Sequence, residues 1–253
     1  MSALIITCDL DWAPEWAIDT TLEFFLKAGI KPTVFTTHPS KTVAALQDQL
    51  DVGLHPYFSS DSSHGATINA TSNTVSHLQY NLPAFRCHRF KSSNQVMQAM
   101  YELGMRISSN ICTDLEALPP FVNRYGMVEF PIFMEDGGYL WRRHALQLTA
   151  LLLRQLKTPG CKVLLIHPMH FALNSPNFSF MQNIKQSCTR EEWISMQADE
   201  LQALRHRGRG IRNVIEGILD KAHSFTTLKV EYNKVIASEK FRLRPNTSVH
   251  KPL

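Results

Sequence analysis

Over the first 110 residues the chain alternates short apolar runs with apolar positions at helical spacing. Residues 3–10, ALIITCDL, are a compact apolar run that predicts a strand closing on Asp9 and Asp11. From Ala17 to Pro32, apolar residues recur at Ile18, Leu22, Phe25 and Leu26 and halt at Gly29 and Pro32, which predicts a helix with Thr20 or Asp19 as its cap. PTVFTTH (32–38) is β-branched and aromatic, a second strand. KTVAALQDQL (41–50) is a short helix, and DVGLH (51–55) a third strand ending at His55. The Ser/Thr/Asn-rich stretch from Ser59 to Ser76 reads as a loop. PAFRCHRF (83–90) predicts a strand ending in Arg86 and His88, SSNQVMQAMYELGM (92–105) a serine-capped helix closed by Gly104, and RISSN (106–110) another strand. Further on, KVLLIHPMHF (162–171) is a very apolar strand ending in His167 and His170.

Strand, helix and strand at this spacing imply parallel pairing through right-handed crossovers, an α/β fold. In α/β barrels the C-terminal strand ends are where chemistry is assembled. The segments EEWISMQADELQALRHR (191–207) and IRNVIEGILDKA (211–222) predict C-terminal helices packed outside the sheet. No internal repeat or Gly/Ser linker divides the chain, so one domain is expected over residues 1–237, followed by a tail over 238–253.

Composition narrows this picture in four ways. With 44% hydrophobic and 19% charged residues among 253, the chain can bury a sizeable core. No basic segment leads into an apolar one at the start, and the longest apolar run, Ala145 to Leu153, is too short to span a bilayer; a cytoplasmic protein with no transmembrane segment is expected. The five cysteines show no CxxC spacing, which suits free thiols in a reducing compartment, with Cys8 and Cys87 as small buried side chains. The net charge of +4 is uneven: 11 Lys/Arg stand against 4 Asp/Glu from Leu201 onward, including RHRGRGIR at 205–212. That run suits a solvated face, a phosphorylated substrate or another anionic surface. Without a recognition-helix motif or interleaved aromatics it does not support nucleic-acid binding.

Asp9, Asp11, His55, His88, His167 and His170 thus come from four predicted strand ends. Carboxylate plus imidazole is the ligand set of a catalytic zinc or similar divalent ion, which takes three protein ligands and keeps a position open for water. No single pair is diagnostic; the convergence of apolar strands on such residues is what points to a site. His38, His64, His77, His144, His206, His223 and His250 read instead as satisfied core or surface residues.

The order of motifs resembles the polysaccharide deacetylase (NodB homology) superfamily, carbohydrate esterase family 4, and more closely its divergent WbmS-like branch associated with O-antigen gene clusters. The resemblance covers roughly Leu4 to Asn174. TCDLD resembles the superfamily's TFDD motif, which makes Asp9 the general base and Asp11 a metal ligand, with Leu10 inserted between them. GLHPYFSSD supplies His55 as a ligand from the HxxxH motif, whose second histidine is replaced by Ser59. FRCHRF resembles the Arg-x-Pro-Tyr motif: Arg86 is the arginine that orients the catalytic aspartate, and His88, in place of the proline, is the candidate third ligand, with His170 the alternative. LLIH matches the late Leu-x-x-His motif, with His167 as general acid. FPIFMEDGGY resembles the branch's P-x-x-W-E-D stretch, with Met134 at the tryptophan position and Glu135 and Asp136 facing the pocket. His170, Trp12, Glu135 and Asp136 are the expected substrate contacts, and Asn174 a structural residue.

The resemblance implies a distorted (β/α) barrel of about seven strands and a divalent metal, zinc first. It also implies hydrolysis of N-acetyl or O-acetyl groups on a sugar or surface-polysaccharide precursor. Two other readings use the same residues: a hydrolase of this fold acting on another amide or ester, and a metal-free carbohydrate-binding pseudoenzyme.

Overall fold

β1 (Leu4–Asp9) is buried along its whole length, and its alternation sets the layers of the molecule. In this computed structural model, which describes residues 3–222, 224–238 and 241, Leu4, Ile6, Cys8 and Leu10 point to an outer core shared with the helices. Ile5 joins the inner core, and Thr7 and Asp9 follow it on that face. β2 (Thr33–Thr36), β3 (Asp51–Leu54), β4 (Ala84–Phe85), β5 (Ile107–Ser108), β6 (Phe121–Val122), β7 (Val128–Glu129), β8 (Ile132–Glu135), β9 (Lys162–Ile166) and β10 (Phe225–Thr226) complete the sheet. Seven of these strands run parallel in the order β5-β4-β3-β2-β1-β9-β8. β7, also parallel, and the antiparallel β6 extend the sheet beyond β5, and β10 pairs in parallel with the start of β1, so that nine of the ten strands run parallel. The chain leaving β5 returns beside the far edge of β8: Cys112 bridges Ile132, and Thr113 and Leu115 donate to the carbonyls of Ile132 and Phe133 at 2.9 and 3.0 Å. The sheet is therefore curled into the distorted barrel expected of the sequence.

The first helix covers Glu15–Lys27, two residues ahead of the expected start, with Pro14 at the cap position and neither Asp19 nor Thr20. It ends as expected at Gly29, whose φ of 72° only glycine adopts without strain. The Glu15 carboxylate accepts from the Lys41 and Thr42 amides, both at 3.0 Å, and so caps the helix Lys41–Ala45. The stretch read as a loop contains a helix, Ile68–Ser76, opened by Thr67 and anchored by the buried Thr71 and Val75. A bend at Met196 splits the long helix expected over 191–207 into Arg190–Ser195 and Ala198–Leu204.

Of the later helices, Ile211–Lys221 packs its buried face (Ile211, Val214, Ile215, Ile218) into the outer core as expected. A further helix, Leu228–Ala237, packs on the other core. Its Leu228, Tyr232 and Ile236 join Ile5, Phe35 and Val163 in the inner core, at the end of the barrel where β10 meets the start of β1. No helix among the described residues is long and apolar enough to cross a membrane. The tail expected over 238–253, like His223 and His250, lies almost wholly outside the described residues.

Candidate metal and acid-base site

The C-terminal ends of the parallel strands deliver the candidate residues to one mouth. Asp9 is the last residue of β1, and His55, Arg86 and His167 are the first residues after β3, β4 and β9. Leu10, the residue inserted between the two aspartates, is fully buried in the outer core. The chain then turns back through Asp11 and Trp12, both at positive φ (47° and 55°), a conformation that costs non-glycine residues about 1–3 kcal/mol each. Hydrogen bonds hold the turn: Ala13 N to the Leu10 carbonyl at 2.7 Å and Trp12 N to Thr37 Oγ1 at 3.1 Å. The strained turn returns the Asp11 carboxylate to the mouth beside Asp9.

Arg86 is fully buried inside the barrel. It donates to Asp9 Oδ1 at 2.7 Å, Thr7 Oγ1 at 2.9 Å, Ser109 O at 3.0 Å and Ser109 Oγ at 2.8 Å, and its guanidinium lies over the Phe35 ring at 4.5 Å. One carboxylate oxygen of Asp9 is thereby fixed. The other, Oδ2, is left facing His55 Nδ1 at 3.6 Å, beyond hydrogen-bond distance.

Asp11, His55 and His88 form a tight cluster whose candidate ligand atoms all lie within 4.8 Å of one another. His55 Nε2 and His88 Nδ1 approach the same oxygen, Asp11 Oδ1, at 3.0 and 2.9 Å. A carboxylate and two imidazoles converging at this spacing suit a divalent transition-metal ion. Burial opposes a charge on Asp11, but the imidazoles of His88 and His167 and the hydrogen bonds from His55 and His88 hold its carboxyl well below the usual range. Burial in turn pulls the His88 imidazole down, against the attraction of Asp11. No other such cluster of three His, Cys, Asp or Glu occurs among the described residues.

His167 faces this cluster, with Nε2 at 3.6 Å from Asp11 Oδ2. Behind it, Nδ1 lies 2.5 Å from Asp136 Oδ1, while the His167 amide donates to Asp136 Oδ2 at 2.7 Å. Burial disfavours the imidazolium, yet Asp136 and Asp11 outweigh it and hold the His167 pKa up at about 10. Asp136 was expected to face the pocket as a substrate contact. It is instead fully buried, with Oδ1 also accepting from Gly137 N, so it can reach substrate only through His167.

Three other expectations shift in place. His170 is not at a strand end: Pro168 starts a helix, Pro168–Leu173, that carries it inward. There its Nδ1 pairs with Ser175 Oγ at 3.0 Å, outside the Asp-His-His cluster, and burial drives its pKa down to about 4. His88 sits in a single 3-10 turn, His88–Phe90, because β4 is only two residues long. Trp12 is packed into the wall between the rings of Tyr57, His64 and His88, with Arg190 at 4.2 Å over its face.

Glu135, the last residue of β8, lines a cavity of about 280 Å³ with Cys112, Asp114, Tyr139 and Trp141. Burial pushes its pKa up to about 7 against the pull of His167. Met134 is buried, whereas Trp141 is 63% exposed. Sequence reasoning missed Thr7, Ser109, Trp141 and Arg190. Only Ser109, one residue before the end of the predicted strand at 106–110 and directly after β5, stood near a position that strand-end reasoning would search.

Residues 6–185 match the family described as WbmS-like polysaccharide deacetylase. No curated protein matches the chain. Among solved structures, the chain is similar to WbmS of Bordetella bronchiseptica, assigned as a polysaccharide deacetylase involved in O-antigen biosynthesis. The TM-score is 0.75 at 20% identity over 87% of this chain and 90% of that one, a likeness of fold. Two more distant structures add no weight. One is assigned as a polysaccharide deacetylase from Mycobacterium smegmatis (TM-score 0.43, 13% identity, 89% and 93% covered). The other is a family 4 carbohydrate esterase from Streptomyces lividans in complex with acetate (0.42, 12%, 89% and 98%).

Proposed function

Because the chain belongs to the WbmS-like polysaccharide deacetylase family, we propose that it hydrolyses acetyl groups from an N- or O-acetylated sugar of a surface-polysaccharide precursor, using a divalent metal, zinc first, held by Asp11, His55 and His88. The observation that carries this reading is the placement of an Arg86-anchored carboxylate, Asp9, and a carboxylate-backed imidazole, His167, on either side of that ligand cluster. A divalent ion bound there supplies Lewis acidity and a water acidic enough to attack at neutral pH.

The protein residues divide the proton transfers. Asp9 Oδ2 is the oxygen not taken by Arg86 and accepts the proton of the attacking water as the new C–O bond forms. His167 Nδ1 is committed to Asp136, so Nε2 presents its proton towards Asp11 and the mouth. When the acetyl carbon–nitrogen bond breaks, that proton goes to the leaving nitrogen; with an ester it goes to the leaving oxygen. Arg86 and Asp136 are positioning residues for Asp9 and His167.

Acetate release from a panel of N- and O-acetylated sugars by metal-loaded protein tests the reading. Acetate released equally well from unrelated amides would contradict it.

Asp136→Asn removes the carboxylate that contributes most to raising the His167 pKa. His167 must carry its proton to act as an acid, so the alkaline limb of kcat/KM is expected to move to lower pH in this variant. A pH–rate profile in which that limb stays in place would count against His167 as the acid. Trp141 supplies the open aromatic face that the buried Met134 does not, beside Glu135. Trp141→Ala is therefore expected to raise KM for an acetylated oligosaccharide while leaving kcat nearly unchanged, the pattern of lost uniform binding.

A further inference from the structure

The basic run at 205–212 has no part in the chemistry above, yet it is built into the fold. Arg205, His206, Arg207 and Arg212 line a cavity of about 600 Å³ with Trp16 and Asn174. A second cavity, of about 610 Å³, shares Arg207 and Asn213 with the first and adds Arg209. Among the described residues no carboxylate lines either one. Among the described residues Arg205, Arg207 and Arg209 form no ion pair, whereas Arg212 pairs with Glu216 at 2.8 Å and packs over Phe171.

Asn174 pins this loop. In a left-handed conformation (φ 51°) at the end of the helix Pro168–Leu173, it donates from Nδ2 to the Gly208 carbonyl at 2.9 Å and accepts from the Arg212 amide at 3.2 Å. Leu173 and Ser175 carbonyls accept from His206 and Ile211, each at 3.0 Å. Gly210 packs so closely that a Cβ there would run into the Asn174 carbonyl. The anchoring helix is the one that begins after His167 and carries His170. Asn174 is four residues past His170, about 6 Å along a helix axis. Trp16, also in its lining, is four residues past Trp12.

We infer that the cavity framed by Arg205, Arg207 and Arg212 binds the diphosphate of a diphosphate-linked sugar whose acetylated ring occupies the Asp9–His167 mouth. Guanidinium forks bind phosphate oxygens in bidentate fashion; among the described residues Arg205 and Arg207 have no carboxylate partner to compete with such a ligand, while Arg212 is steadied from the side by Glu216. The inference rests on the deacetylase reading and deepens it by naming the substrate class. A nucleotide sugar and a polyprenyl-diphosphate sugar share this chemistry.

The test is calorimetric binding to the purified full chain, with UDP-N-acetylglucosamine, farnesyl diphosphate, free N-acetylglucosamine and a single-stranded RNA oligonucleotide as probes. The proteins are the wild type, the Arg205→Gln/Arg207→Gln double variant and His55→Ala. At least one diphosphate is expected to bind at least about tenfold tighter than the free sugar. The double variant should lose that margin and His55→Ala should keep it, since a diphosphate drawn to the metal cluster would behave the opposite way. Tighter binding of UDP-N-acetylglucosamine points to a nucleotide-linked substrate, and tighter binding of farnesyl diphosphate to a lipid-linked one. Diphosphates that bind no tighter than the free sugar, or that bind the double variant as well as the wild type, overturn the proposal. So does single-stranded RNA that binds tighter than either diphosphate. If arginine-dependent diphosphate binding persists while no sugar releases acetate, the deacetylase reading fails and the diphosphate site stands.

Discussion

Asp9→Asn is expected to lower kcat for deacetylation by about 10²–10⁴-fold, the usual contribution of a positioned general base, with metal content unchanged. Asparagine preserves shape and keeps an oxygen for Arg86, which donates to Asp9 Oδ1 at 2.7 Å. What it removes is the proton-accepting capacity of Oδ2, the oxygen left facing the cluster. Asp9 is not in the Asp11-His55-His88 set, so elemental analysis should find the same metal in variant and wild type. A loss of metal would make Asp9 a ligand. Activity within a few-fold of wild type would remove it from the chemistry.

Arg86→Leu is expected to destabilise the protein by about 3–5 kcal/mol, because it leaves a buried carboxylate without its partner. Arg86 is fully buried and Asp9 is 2% exposed, so water cannot replace the lost ion pair. For a chain of this length that corresponds to a fall in Tm of roughly 10–15 °C. The polar atoms Arg86 touches are not all orphaned by the change: Thr7 Oγ1 also donates to the Leu164 carbonyl, and Ser109 Oγ to that of Phe130. The penalty therefore centres on Asp9. The Asp9→Leu/Arg86→Leu double variant should be less destabilised than Arg86→Leu alone, and thermal unfolding of the two checks this. Equal destabilisation would place the effect in packing over Phe35 instead.

The parallel strands were legible because their apolar runs are short, separated by helical spacing, and end in polar residues at a constant place. Reading those ends brought Asp9, Asp11, His55, Arg86, His88 and His167 into one candidate set, and the structure gathers them at one mouth. The sequence hid features that depend on distant partners. The Ile68–Ser76 helix is mostly polar, and only Thr71 and Val75 are buried. Asp136 looks like a turn residue until β8 is seen beside β9, which places it behind His167. Pro168 was a local signal for the helix that carries His170, but the apolar run before it masked the change of element. Leu10 separates two aspartates in sequence yet only packs the outer core; the strained turn after it restores the pairing.

The most direct test of the proposed centre is the metal content of the purified protein by elemental mass spectrometry, for wild type beside Asp11→Ala, His55→Ala and His88→Ala. Close to one divalent transition-metal ion per chain in the wild type, lost in all three variants, is the expected result. A wild type that holds no metal after reconstitution, or variants that each retain it, would contradict a catalytic metal centre built from Asp11, His55 and His88.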